Sequence, residues 1–235
     1  WDRFTGDCDL EGAQTSTAEC ARMSSVSHTS PKLGIRSQPL DWLELRGSWA
    51  EGFAIAPETA KYSLGASSVS PNVFRQIELG MTLSWRDLGL DLATYRIDSS
   101  DEIGRNPAGD YENFGETRRQ GVEVSGYWYL TDSLDVSLAW GTAQSEIRKH
   151  RDASLEGNRV TGVPSHTTTA QVNWRPLPDW EGSLVLRDIG DYAVNASNQL
   201  VDGGYRVTDF TLSYLVPGTP GYRAYLAVEN LTDKV

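Results

Sequence analysis

Apolar and polar residues alternate with a period of two along most of this chain. In 77–85, Ile77, Leu79, Met81, Leu83 and Trp85 fall on one side, and Glu78, Gly80, Thr82 and Ser84 on the other. In 122–130, Val122, Val124, Gly126, Trp128 and Leu130 oppose Glu123, Ser125, Tyr127 and Tyr129. The same alternation runs through 43–50, 134–140, 168–175, 208–214 and 222–228. Alternation sustained over seven to nine residues predicts half-buried strands, and no apolar stripe at helical spacing competes with it. The pattern therefore predicts an all-β fold.

The connections between these segments are of two kinds. Short ones fall at 39–42, 86–89, 131–133, 176–179 and 217–221 and read as tight hairpin turns. Long ones fall at about 53–72, 99–115, 147–163 and 193–203 and are rich in Asp, Asn, Gly, Ser and Pro. Short and long alternate, and the tight turns recur roughly every 45 residues. The expected fold is an antiparallel up-and-down meander of about ten strands, with all short turns at one end and all long loops at the other. A propeller blade has a similar period but holds four short strands. A transmembrane barrel, with strands of about 9–11 residues, short turns at one rim and long loops at the other, fits better.

The aromatic residues sharpen this choice. Trp42, Trp85, Trp128, Tyr129, Trp174, Trp180, Tyr214 and Tyr222 all lie within a few residues of a tight turn. A membrane interface selects such a ring, because the aromatic body is apolar while its N–H or O–H seeks water. The 235 residues hold 21 Lys and Arg against 32 Asp and Glu, a net charge of −11, which argues against a nucleic-acid partner. Apolar runs reach only three or four residues, far short of the roughly 20 that a membrane helix needs. The chain starts at Trp1 with no leader and reads as an excerpt of a longer one.

Several phrases resemble TonB-dependent outer-membrane receptors, over about Thr29 to Lys234. Ser30-Pro31-Lys32-Leu33-Gly34, leading to Ser48-Trp49-Ala50-Glu51-Gly52-Phe53 and Ala56-Pro57, is similar to a mid-barrel hairpin of that family. Asn113-Phe114-Gly115-Glu116 with Gly121-Val122-Glu123-Val124, then Val163-Pro164-Ser165-His166, resemble two further strand entries. Val228-Glu229-Asn230-Leu231-Thr232-Asp233 resembles the phrase of the penultimate strand. Each phrase is weak alone, but four in the family order are fairly specific.

The resemblance implies a share of a 22-stranded barrel, about strands 12 to 21, with the plug domain, TonB box and final strand absent. Residues 1–235 would then be a partial receptor barrel, with 1–30 an extracellular loop. It implies a Gram-negative outer-membrane location. The implied partners are lipid, the TonB complex through the missing N-terminal region, and a small ligand such as an iron chelate. Ligand contacts are expected from long loops and nearby strand ends, at Phe53, Tyr62, Tyr111, Arg118, Arg119 and Tyr192. Arginines and aromatics at these places suit an anionic or catecholate-bearing chelate.

Other chemistry is thin. Cys8 and Cys20 either bridge, closing a loop of about a dozen residues, or stay free thiols. His150 sits in a basic run, Arg148-Lys149-His150-Arg151, and His166 belongs to the strand phrase. The acids of 98–112 match no calcium loop, so neither a metal nor another cofactor is expected. No nucleophile with a base is apparent, so no enzyme is expected. The leading function is an outer-membrane receptor that binds and imports a scarce nutrient, a ferric siderophore first, energised through TonB. The alternative is a soluble secreted propeller or sandwich acting as a binding or adhesion module. A third, weaker reading, an outer-membrane phospholipase-like enzyme, needs a Ser, a His and an acid together on the lipid face. The side on which Leu79, Met81, Leu83, Val136, Leu138, Val172 and Leu212 lie separates barrel from soluble fold: outward to lipid, or inward in a core.

Overall fold

The computed structural model describes residues 2–4, 26–55, 69–105, 111–218 and 221–232. Ten strands form one antiparallel sheet: β3 (Lys32–Leu40), β4 (Leu43–Ala54), β5 (Asn72–Trp85), β6 (Leu88–Arg105), β7 (Tyr111–Thr131), β8 (Leu134–His150), β9 (His166–Leu177), β10 (Trp180–Ile189), β13 (Tyr205–Leu215) and β14 (Arg223–Val228). Each pairs with the next in chain order, so the expected meander of about ten strands is present. Two small ribbons stand apart. In one, β1 (Asp2–Phe4) pairs with β2 (Val26–His28), within the segment expected as a loop over 1–30. In the other, β11 (Tyr192–Ala193) pairs with β12 (Val201–Asp202), inside the long connection between β10 and β13.

The period-two pattern sorts side chains onto two faces, because successive residues of a strand point opposite ways. One hydrogen-bonded row carries Leu83, Leu90, Gly126, Leu138, Ala170 and Leu186 across six strands. The opposite face carries Glu78, Thr82, Asp91, Glu123, Ser125, Ser137, Gln171 and Asn173. Among the described residues nothing packs over the apolar face: Leu79 is 60% exposed and Leu138 43%. Among the described residues, the buried apolar side chains are Ala93, Ile147, Val160 and Ala193. A soluble sandwich or propeller would place the apolar face inside a core, and this sheet does not.

The borders of the apolar face run obliquely across the hydrogen-bond rows. One row joins Arg206, Asp188, Thr168, Trp140, Val124, Leu92, Met81 and Leu45. It begins among charges on β13 and ends at Leu45, six residues short of Glu51, the first charge on that face of β4. That drift is roughly 20 Å over about 34 Å of sheet width, a slope of about 30°. The aromatic border slopes the same way: the row of Trp85 and Trp128 arrives at Phe210, four residues loopward of Tyr214. Between the borders, on β5, lie the nine residues from Ile77 to Trp85, about 27 Å along the strand and roughly 23 Å perpendicular to the borders.

Three strands overrun their expected ends. The sequence reads 99–115 and 147–163 as loops, yet β6 continues to Arg105, β7 starts at Tyr111 and β8 continues to His150. Beyond the apolar border both faces are polar, so alternation disappears while the ladder continues. Cross-strand pairs accompany these extensions: Arg118 Nε to Asp98 at 2.6 Å and Lys149 Nζ to Glu116 at 2.7 Å. Register shifts at Ser99/Glu102 and Glu116/Thr117 mark bulges, where a strand bends and twists more strongly.

Candidate ligand-facing wall and rim

The polar face is a wall of paired charges. Arg46 grips Asp91 with both Nη atoms, at 2.7 and 2.8 Å, and the Thr82 hydroxyl donates to the same carboxylate at 2.7 Å. Higher up, Arg119 donates to Glu102 with both Nη atoms, at 2.9 and 3.3 Å, and Thr117 adds a hydroxyl at 2.7 Å. Asp135 accepts from Asn173 at 2.7 Å and from Arg175. Toward the other edge Arg223 pairs with Glu181 at 3.0 Å, and Arg187 with Asp209. Such half-wet pairs contribute little stability each, roughly 0–1 kcal/mol. They give the wall a dense, alternating charge pattern.

At the loop end, two long connections are stitched together over this wall. The connection after β8 carries a short 3-10 turn, Ala153–Leu155, capped by the Asp152 carboxylate. Bonds from Ser154 hold Asp152 below the usual carboxylate range. The segment folds back on its own strand: Ile147 N donates to Asn158 O at 2.8 Å and Val160 N to Ser145 Oγ at 3.2 Å. It then binds the connection after β10. Arg159 Nη1 donates to Asp191 at 2.7 Å, Ser165 Oγ to the same carboxylate at 2.7 Å, and Arg159 N to Asn198 Oδ1 at 2.7 Å. Donation from Arg159, then from Ser165, holds Asp191 below the ordinary range. Beneath lie Ile147, Val160, Ala193 and Thr117, all buried. Gly204 closes β12 at φ 73°, where a Cβ would meet the Ile189 carbonyl at 2.0 Å.

The residues expected to touch ligand do not form one cluster. Arg118 and Arg119 are neighbours on a strand, so they project to opposite faces. Arg119 is on the polar wall with Glu102; Arg118 is on the apolar-face side with Asp98. Phe53 has the same parity as Leu45 and Trp49, and its ring lies 5.0 Å from that of His28. Tyr111 begins β7, opposite Arg105. Tyr192 sits in the β11–β12 ribbon, and its hydrogen bond to Asp202 raises its phenol pKa. Tyr62, Cys8 and Cys20 lie outside the described residues. The sequence reading missed Arg159, Asp191, Asn158 and Asn198, because their link spans loops 32 to 39 residues apart.

Ser165, His166 and Asp188 do come together, but not as a nucleophile with its base. The Ser165 hydroxyl donates to Asp191, and its oxygen is 3.4 Å from His166 Nδ1. His166 Nε2 is 3.0 Å from Asp188, which also accepts from Arg206. The trio clamps β9, β10 and β13 where the apolar face ends.

An oblique apolar belt with aromatics at one border and charges at the other, backed by a polar wall, defines a segment of a β-barrel wall. The family model described as TonB dependent receptor-like, beta-barrel, matches residues 1–231, and the chain belongs to that family. It is 24% identical over 188 residues to the catecholate siderophore receptor Fiu of Escherichia coli K12, covering 77% of this chain and 24% of that protein. It is 26% identical over 150 residues to the ferrioxamine B receptor of Salmonella typhimurium, covering 60% of this chain and 21% of that protein. It superimposes on the ferric yersiniabactin uptake receptor FyuA of Yersinia pestis with a TM-score of 0.75 at 22% identity, covering 90% of this chain and 33% of the other. At that identity the likeness is one of fold. The chain thus spans about a quarter of the length of the curated relatives it matches.

Proposed function

We propose that this chain is part of the barrel wall of a Gram-negative outer-membrane receptor that binds and imports a ferric siderophore, energised through the TonB complex. The observation that carries the reading is the oblique apolar belt. Its slope of about 30° and height of roughly 23 Å approach the strand tilt and apolar band of outer-membrane barrels, about 35–45° and 25 Å. The apolar face meets lipid, and the polar wall faces a wet lumen. The family, and relatives named for catecholate and ferrioxamine uptake, support an iron chelate as cargo.

Within this reading Arg119, Tyr111 and Tyr192 are the ligand-facing candidates, together with Tyr62, which lies outside the described residues. A guanidinium and phenols suit an anionic, aromatic chelate. Arg118 and Phe53, on the other side of the sheet, act structurally. The test uses the full-length receptor in cells starved of iron. It should migrate in a heat-modifiable way in the outer-membrane fraction, and its deletion should abolish uptake of one labelled ferric chelate, with catecholate and hydroxamate types compared. Arg119→Ala should weaken uptake about tenfold, while Arg118→Ala should not weaken it. Recovery of the full-length protein as a soluble species would overturn the reading.

A further inference from the structure

Arginines on the two faces are used differently. On the polar wall, Arg46 and Arg119 each fork both Nη atoms onto a carboxylate of their own. On the apolar-face side, Arg96 and Arg118 share one carboxylate. Arg96 Nε donates to Asp98 Oδ2 at 2.8 Å and Arg118 Nε to Asp98 Oδ1 at 2.6 Å. Each guanidinium carries five N–H donors, so most of theirs find no protein acceptor among the described residues. Nearby, Gln120 donates to Gln144 at 3.2 Å, again on the lipid-facing side. Around this point stand Arg75, Arg96, Arg118 and Arg148 against Glu51, Asp98 and Glu146, a local excess of cation in a chain of net charge −11.

Beside Arg96 the apolar face is hollowed, and Arg118 is joined to Arg96 through the Asp98 carboxylate. A groove of about 350 Å³ is lined by Ile77, Leu79, Val122, Thr94, Thr142 and Gln144, with Arg96 and Gln120 at its charged end. It crosses the border where hydrocarbon gives way to head groups: Leu79 and Val122 lie two rows below Ile77, Arg96, Gln120 and Gln144, the next row on that face. A site that is apolar at one end and holds under-paired guanidinium groups at the other fits an amphiphile with an anionic head.

We propose that Arg96 and Arg118 hold the phosphate of a membrane lipid whose acyl chain lies in the groove over Ile77, Leu79 and Val122. Planar guanidinium groups match phosphate oxygens bidentately, and exclusion of water strengthens the pairing. Asp98 takes one donor from each arginine and leaves one net positive charge for the head group. The site lies on the face opposite the ligand wall, so it anchors the barrel in its membrane and does not read the cargo. It rests on the membrane reading above.

The test is native mass spectrometry of the full-length receptor extracted from nanodiscs of stated composition. From discs of phosphatidylglycerol mixed equally with phosphatidylcholine, the wild type should retain phosphatidylglycerol selectively. Arg96→Gln/Arg118→Gln should reduce that selectivity about tenfold. Asp98→Asn, which removes the competing carboxylate, should raise it. Equal retention of both lipids by the wild type, or no change in the double variant, would overturn the proposal. So would displacement of the bound lipid by millimolar inorganic phosphate, since a free anion would then be the true occupant. Heat-modifiable migration of the same preparations reports on the barrel itself, so failure of the lipid site and failure of the membrane reading are distinguishable.

Discussion

The belt and the rim of this barrel wall are built on opposite plans. In the belt, from Trp85 to Ile77 and across to Phe210, large apolar side chains stand exposed on one face and charges pair on the other. Among the described residues no core lies between them, and backbone ladders carry the structure. At the rim, Ile147, Val160 and Ala193 are buried under two stitched loops, as in a small soluble protein. The same strands take part in both regions. What changes is the cover: at the rim two connections close over the polar wall and bury Ile147, while in the belt the large apolar side chains of the opposite face stand exposed.

Placing a charge in the belt should break the comparison most sharply. Leu138→Arg on the apolar face should cost about 2–4 kcal/mol in reversible folding into vesicles if that face meets lipid as proposed. Glu123→Lys on the polar wall should stay within about 0.5 kcal/mol. Equal costs would mean that both faces are wet.

A core truncation tests the rim. Ile147 is 2% exposed, so Ile147→Ala should lose about 2 kcal/mol. The loss should be local: proteolysis within 151–165 should accelerate about thirtyfold while the barrel stays heat-modifiable.

Arg159→Ala removes the donor that joins the two loops through Asp191. Cleavage of both connections should rise together, by about three- to tenfold, where a lone loop defect would expose only one.

The smallest effect is one of pH. Hydrogen bonds from Arg159 and Ser165 lower the native pKa of Asp191. Its contribution is therefore complete above the unfolded aspartate value of about 3.9 and is lost as pH falls through the lower native value. Loop protection in hydrogen exchange should be flat from about pH 8 to about pH 5 and decline below about pH 4. Asp191→Asn should remove that decline.

The alternation in 77–85, 122–130 and 168–175 was enough to predict strands, their facing and the alternation of short turns with long loops. That pattern exists in sequence because the two faces of a strand alternate at every second position and each face selects its own kind of residue. Trp85, Trp128 and Trp174 beside tight turns marked one border for the same reason. The other border was blurred: past Arg96 and Gln120 both faces are wet, selection at period two stops, and β6 to β8 read as loops although their ladders continue.

Which arginines meet was decided only by the tertiary structure. Arg118 and Arg119 look alike in sequence, yet their opposite facing and the Ser99/Glu102 shift send one to Asp98 and the other to Glu102. The meeting of Arg159 with Asp191 and Asn198 depends on the register of β8, β9 and β10, which brings distant loops side by side. Local pattern determines which way a side chain points, because that depends on the pleat alone. What it touches depends on register across strands, and register is a property of the assembled sheet.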